Sequence, residues 1–100
     1  MPTLTVHLRE GFIRTPVILG IDGSERFRSE AVTTRTQIGL AEMIPLEVPA
    51  GFINVEITLP SLGRSIRETI DVKTDTHLGI DLDAHGRASV RVQTEPFLYM

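Results

Sequence analysis

The sequence predicts an all-β fold, a single antiparallel β-sandwich of seven to eight strands. Three observations carry that expectation. Apolar and polar residues alternate in run after run, turn signals recur about every 10 to 12 residues, and no stretch sustains a helical period. The clearest run lies in Leu46 to Leu59, LEVPAGFINVEITL. There Ile53, Val55, Ile57 and Leu59 share one side of an extended chain, while Phe52, Asn54, Glu56 and Thr58 share the other. Ile44, Leu46 and Val48 form the apolar side of the strand before it. The intervening Pro49-Ala50-Gly51 predicts a hairpin whose two strands line one wall of the core.

In chain order, Thr3 to Arg9 alternates with Leu4, Val6 and Leu8 inward and Thr5, His7 and Arg9 outward, and Glu10-Gly11 ends it. Thr15 to Ile21 follows, with Val17, Leu19 and Ile21 on one face and Pro16 at its start, where a missing donor suits a strand beginning or an edge. Asp22-Gly23 is a hairpin turn signal, because a type I′ turn needs positive φ at both central positions. Glu25 to Ser29 reads as a short polar returning strand anchored by Phe27. Ala31 to Ile38, rich in Thr and Val, reads as an extended segment at a sheet edge. Gly39 to Met43 is too short to nucleate a helix and leads into the strand at Ile44. Pro60-Ser61-Leu62-Gly63 turns the chain into Arg64 to Val72, where Glu68 interrupts the inward series and places the start of the strand outside the core. Leu78, Ile80 and Leu82 mark the next strand, Asp83-Ala84-His85-Gly86 its turn, and Ala88, Val90 and Val92 the return. Residues 1 to 95 thus form one domain, and Pro96 breaks the last strand before an apolar tail over residues 96 to 100.

At 100 residues the chain is long enough to bury a core without staples. It has no cysteine, which excludes disulfides, thiolate nucleophiles and Cys-ligated metals. A formal charge of −3 with both signs scattered leaves no basic stripe, so nucleic acid is not expected as a partner. All ten basic residues but Lys73 are Arg, and they mostly alternate with apolar residues on strands. The opening MPTLTVHLRE lacks the pattern of a leader, and no run approaches the roughly 18 apolar residues of a membrane span. A cytoplasmic protein with no membrane partner is the expectation.

The segment Val48-Pro49-Ala50-Gly51-Phe52-Ile53-Asn54-Val55-Glu56-Ile57 resembles the V-P-x-G-x-x-x-V-x-V hairpin of PEGA-type and carboxypeptidase-regulatory-like domains, and Leu19-Gly20-Ile21-Asp22-Gly23 resembles their V-x-V-D-G turn. The aromatic-rich G-Y stretch of that pattern is absent. The resemblance implies a prealbumin-like sandwich that binds or supports without catalysis, and it transfers no active-site residue. An immunoglobulin-like arrangement is the other candidate, although its Trp and Cys pair are missing.

Asp71, Asp75, His77, Asp81, Asp83 and His85 make the densest polar cluster. Asp81-x-Asp83-x-His85-Gly86 resembles the front of a calcium loop, but His85 replaces an oxygen ligand and Val92 stands where a closing carboxylate is needed. The structural reading is that Asp83 and Gly86 make a turn and Asp81 is solvated. His7, His77 and His85 fall at outward or turn positions of separate segments, and no serine lies in a nucleophile-elbow context. The expectation is therefore no catalytic residue, no cofactor and no bound metal.

What remains is surface for a partner. The function expected is a non-catalytic interaction module that binds a protein or self-associates as a homodimer. Two features are candidates: the edge at Ala31 to Ile38, with Thr34 and Arg35, and the terminal Phe97, Leu98, Tyr99 and Met100. Arg35 also fits an edge-guarding charge, and the tail fits packing back onto the sheet. Leu98-Tyr99-Met100 also resembles the hydrophobic-tyrosine-any-residue tails of proteasome activators. The alternative is small-ligand or glycan binding on a sheet face, weakened by a single Tyr and no Trp.

Overall fold

The alternating runs become eight strands in a computed structural model that describes residues 1–97: β1 (Thr3–Leu8), β2 (Thr15–Ile21), β3 (Ser24–Val32), β4 (Glu42–Glu47), β5 (Gly51–Leu59), β6 (Arg64–Val72), β7 (Thr76–Leu82) and β8 (Ala88–Gln93). Among the described residues there is no α-helix, only a 3-10 turn at Pro60–Leu62. The first sheet has the order β4-β1-β7-β8 and the second β3-β2-β5-β6. Leu4, Val6, Leu8, Leu78, Ile80 and Leu82 of the first sheet and Val17, Leu19, Ile53, Val55, Ile57 and Leu59 of the second belong to one buried cluster. The period of two is thus converted directly into a shared core.

The expected hairpin at Pro49-Ala50-Gly51 is not formed. β4 lies against β1 in the first sheet, Leu4 beside Leu46 and Val6 beside Ile44, whereas β5 runs between β2 and β6 in the second. The turn therefore carries the chain from one sheet to the other, and the two apolar runs line opposite walls of the core. A Pro-x-Gly corner serves either purpose, because alternation fixes which side of a strand is buried and not which strand lies next to it.

The fold also departs from a purely antiparallel arrangement. β1 pairs with β7 in parallel, Leu4 beside Thr76 through Leu8 beside Ile80. Main-chain bonds from Arg9 N to Ile80 O (2.8 Å) and from Leu82 N to Glu10 O (2.7 Å) extend the ladder, and Asp75 Oδ1 accepts from Thr3 N (2.9 Å) at its start.

At Asp22-Gly23 the expectation holds: φ is 48° and 86°, and Ile21 is paired directly with Ser24. The turn is also tied to β5, since Asp22 N donates to Asn54 O and Asn54 N donates to Asp22 Oδ1, both at 2.8 Å. The returning strand is longer than expected, however. β3 runs through Ala31 and Val32, with two register shifts against β2, and the chain then leaves the sheet. Of Ala31 to Ile38, only Ala31 and Val32 therefore lie on an edge strand, and residues 33–38 form a loop.

Candidate functional site

Two sheets of four strands have four edges, and each edge exposes main-chain donors and acceptors that another strand could complete. β4 carries Pro45, which has no donor, between Glu42 and Glu47. Along β3 stand Glu25, Arg26, Arg28 and Glu30, and the strand is kinked by its register shifts. Arg28 Nη2 lies 2.6 Å from Glu25 Oε1, and that hydrogen bond and charge hold the Glu25 carboxyl below its usual range. β6 brings the half-buried carboxylate of Glu68 to the core-facing side of the strand, an inward charge that disfavours a neighbour. β8 has no proline, no register shift and no inward carboxylate, and Arg91 is its one charge. Its register with β7 runs unbroken from Gln93 beside His77 to Ala88 beside Leu82, and its core-facing residues are Ala88, Val90 and Val92. Val90 is half-buried and Val92 is 46% exposed, so the apolar side of the first sheet runs on past the last strand.

Thr34 and Arg35 lie in the loop between β3 and β4, and Thr34 acts as a clamp. Its N donates to Phe12 O (2.7 Å), its hydroxyl donates to Arg9 O (2.7 Å), and its Oγ1 accepts from Phe12 N (3.0 Å). Arg35 is exposed and closes a small turn, with its N bonded to Leu40 O at 3.0 Å and its O accepting from Gly39 N at 2.9 Å. The Thr33 and Thr34 hydroxyls bond main-chain groups between β1 and β2, Arg14 N donating to Thr33 Oγ1 at 3.0 Å, while Val32 stays in the ladder with Thr15.

His7 was expected at an outward, exposed position; it does point to the outer side of the first sheet, yet it is only 1% exposed. The parallel register sets His7 beside Gly79 and His77 beside Thr5, so the two imidazoles meet on the diagonal with His7 Nε2 2.9 Å from His77 Nδ1. One ring donates and the other accepts. Phe97 lies over them, its ring 4.9 Å from that of His7 and edge-on to it. Gly79 makes room for that ring, since an added Cβ would stand 2.7 Å from Phe97 Cζ. Arg9 sits on the far side, its guanidinium carbon 4.7 Å from the Phe97 centroid and its Nη1 3.6 Å from Asp81 Oδ2. Burial, then the charges of His77 and Arg9, lowers the His7 pKa to about 4, so its ring is neutral at pH 7. His85 lies in the β7–β8 turn and does not join the pair. Of the four tail residues singled out, Phe97 is placed on this face; Leu98, Tyr99 and Met100 lie outside the described residues.

Three carboxylates of the acidic cluster, Asp75, Asp81 and Asp83, accept from main-chain N–H groups, and Asp71 pairs with Lys73 at 3.6 Å. Asp83 Oδ1 accepts from His85 N (2.8 Å) and Arg87 N (2.9 Å), bonds that pull its pKa down. Asp81 Oδ1 accepts from Glu10 N at 3.1 Å. Among the described residues no group of three or more His, Cys, Asp or Glu is arranged to hold a metal ion. On the outer side of the second sheet a polar recess of 540 Å³ is lined by Asp22, Asn54, Glu56, Arg67 and Thr69. Its side chains satisfy one another: Arg67 Nε donates to Glu56 Oε2 (2.6 Å) and the Thr69 hydroxyl donates to Asn54 Oδ1 (2.8 Å). Phe52, 76% exposed, is the aromatic on the outer side of the same strand. No helix of the described residues is long and apolar enough to cross a membrane.

The two features that sequence reasoning missed, the open β8 edge and the histidine pair, depend on which strands are neighbours. A partial signal exists for the first, since ASVRVQ lacks the Pro of β4 and the inward carboxylate of β6. No known protein family, curated protein or solved structure matches this chain.

Proposed function

We propose that this chain is a non-catalytic, cytoplasmic interaction module, a β-sandwich of prealbumin-like or immunoglobulin-like layering related to the PEGA-type domains it resembles, that binds protein through the free edge of β8. One observation carries the reading: of the four strand edges among the described residues, β8 alone has no proline, no register shift and no inward carboxylate, and it leaves Val92 half exposed. The edge first considered at Thr34 and Arg35 is replaced by this one, because Thr34 is committed to Phe12 and Arg9. The glycan or small-ligand alternative is weaker, since the polar groups of the Asn54–Glu56 recess already pair with one another. The histidine pair favours a structural role over catalysis, because each imidazole is engaged by the other beneath Phe97.

The test is site-specific photo-crosslinking in the source cells, with the photoreactive side chain at Arg91 of β8 and, as the control, at Arg28 of β3. Adducts to protein from position 91 and not from 28 are expected. Equal adducts from both positions, or none from 91, overturn the assignment.

A further inference from the structure

We propose that the occupant of the β8 edge is a second copy of this chain, joined antiparallel about a two-fold axis through Val90, so that two first sheets continue into one sheet of eight strands. This rests on the reading of β8 as the binding edge. The argument for a second copy is the pattern of the strand itself. Reflected about Val90, the stretch Ala88-Ser89-Val90-Arg91-Val92 matches inward residues to inward and outward to outward: Val92 faces Ala88 twice, Val90 faces its own copy, and Arg91 faces Ser89 twice. The large exposed side chain is thereby set against the small one. No like charges stand directly opposite, and each guanidinium meets a hydroxyl that can accept from it.

Neighbouring registers do worse. An axis through Arg91 places two guanidinium groups face to face, which costs rather than stabilises. An axis through Val92 pushes Val90 against Thr94, beyond the end of β8, and leaves only Arg91 to Gln93 paired within the strand. The Val90 axis keeps five strand residues, Ala88 to Val92, in the ladder. It completes the main-chain groups of both edges and covers the Val92 side chain, so both copies lose the one unguarded edge in a single closed contact.

Sedimentation equilibrium on the purified chain, from micromolar to several hundred micromolar, is expected to give a species of twice the 11.1 kDa chain mass. Val92→Lys should weaken the association by about tenfold or more, with an unchanged circular dichroism spectrum, because it puts an ammonium at the apolar seam. Arg28→Ala on β3 should leave it unaltered. The register has its own readout that does not depend on the lysine variant folding. The chain has no cysteine, so mixing Ser89→Cys with Arg91→Cys chains under mild oxidation should give a crossed disulfide faster than either chain alone. A monomer at all concentrations overturns the second-copy proposal, and so does a dimer insensitive to Val92→Lys or equal rates of disulfide formation. If position 91 still cross-links another protein in cells while the pure chain is a monomer, the edge reading stands and only the occupant is wrong.

Discussion

β4 and β8 close the same sheet at opposite ends, and they are finished by opposite means. Both are six residues long. β4 buries Ile44 and Leu46 to 7% exposure against the core, presents Pro45 among carboxylates, and is reached through a loop clamped by Thr34. β8 buries none of its six residues completely and is bordered by nothing on its outer side among the described residues. The difference teaches that strand propensity and edge character are separate properties. Alternation makes a strand, whereas proline, register shifts and misplaced charge decide whether a sheet may grow past it.

The comparison breaks first at the clamp. Thr34→Pro removes the main-chain donor to Phe12 and the hydroxyl that bonds Arg9, and is expected to cost about 4 kcal/mol in urea denaturation; a loss below about 1 kcal/mol would mean that β4 is held without its loop. Truncation of the two strands then sharpens the contrast. Leu46→Ala should cost about 3 kcal/mol and Val92→Ala, at dilute concentration, about 0.5 kcal/mol, because only the first empties a packed site. Equal losses would erase the distinction between the closed and the open end.

A pH effect separates the covered middle of the sheet from both ends. The folded chain holds His7 neutral down to about pH 4, whereas the unfolded chain protonates it near the ordinary imidazole value of 6.5. Between those values the unfolded state binds the extra proton, so stability falls as pH is lowered through that window and His7 adds nothing further below it. From pH 7 to pH 5 the loss should be about 2 kcal/mol. A His7→Gln chain should lack that share of the slope, and identical pH profiles for the two chains would show that the covered ring does not control it.

What the sequence made legible was local. Ile53, Val55, Ile57 and Leu59 announced a buried face, and Asp22-Gly23 announced its turn through the positive φ that it needs. The neighbours of each strand were not legible. Pro49-Ala50-Gly51 has the steric content of a hairpin and of a crossing, and only the demands of the whole core choose the crossing. His7 looked exposed because its burial depends on His77, 70 residues away, and on a phenylalanine beyond the last strand. Thr34 looked like a strand residue because a hydroxyl that caps main-chain groups and one that decorates a ladder are the same residue type. The candidate edge at Ala31 to Ile38 ends at Val32 for that reason, while the sparsely guarded composition of β8 was in plain view and acquired meaning only from the sheet order.

The parallel union of β1 with β7 has a consequence in time. β2, β3, β5 and β6 are joined by antiparallel pairings, two of them between strands adjacent in the chain, and can zip as they are made. β1 leaves the ribosome before any of them, yet its bond from Thr3 to Asp75 spans 72 positions. Its main-chain groups on that side must therefore wait for β7 through most of the synthesis of the domain, with β4 as its earlier companion. The first sheet cannot close until β7 has been made, and pairing over so long a stretch of chain prolongs the interval in which apolar surface is open to neighbours.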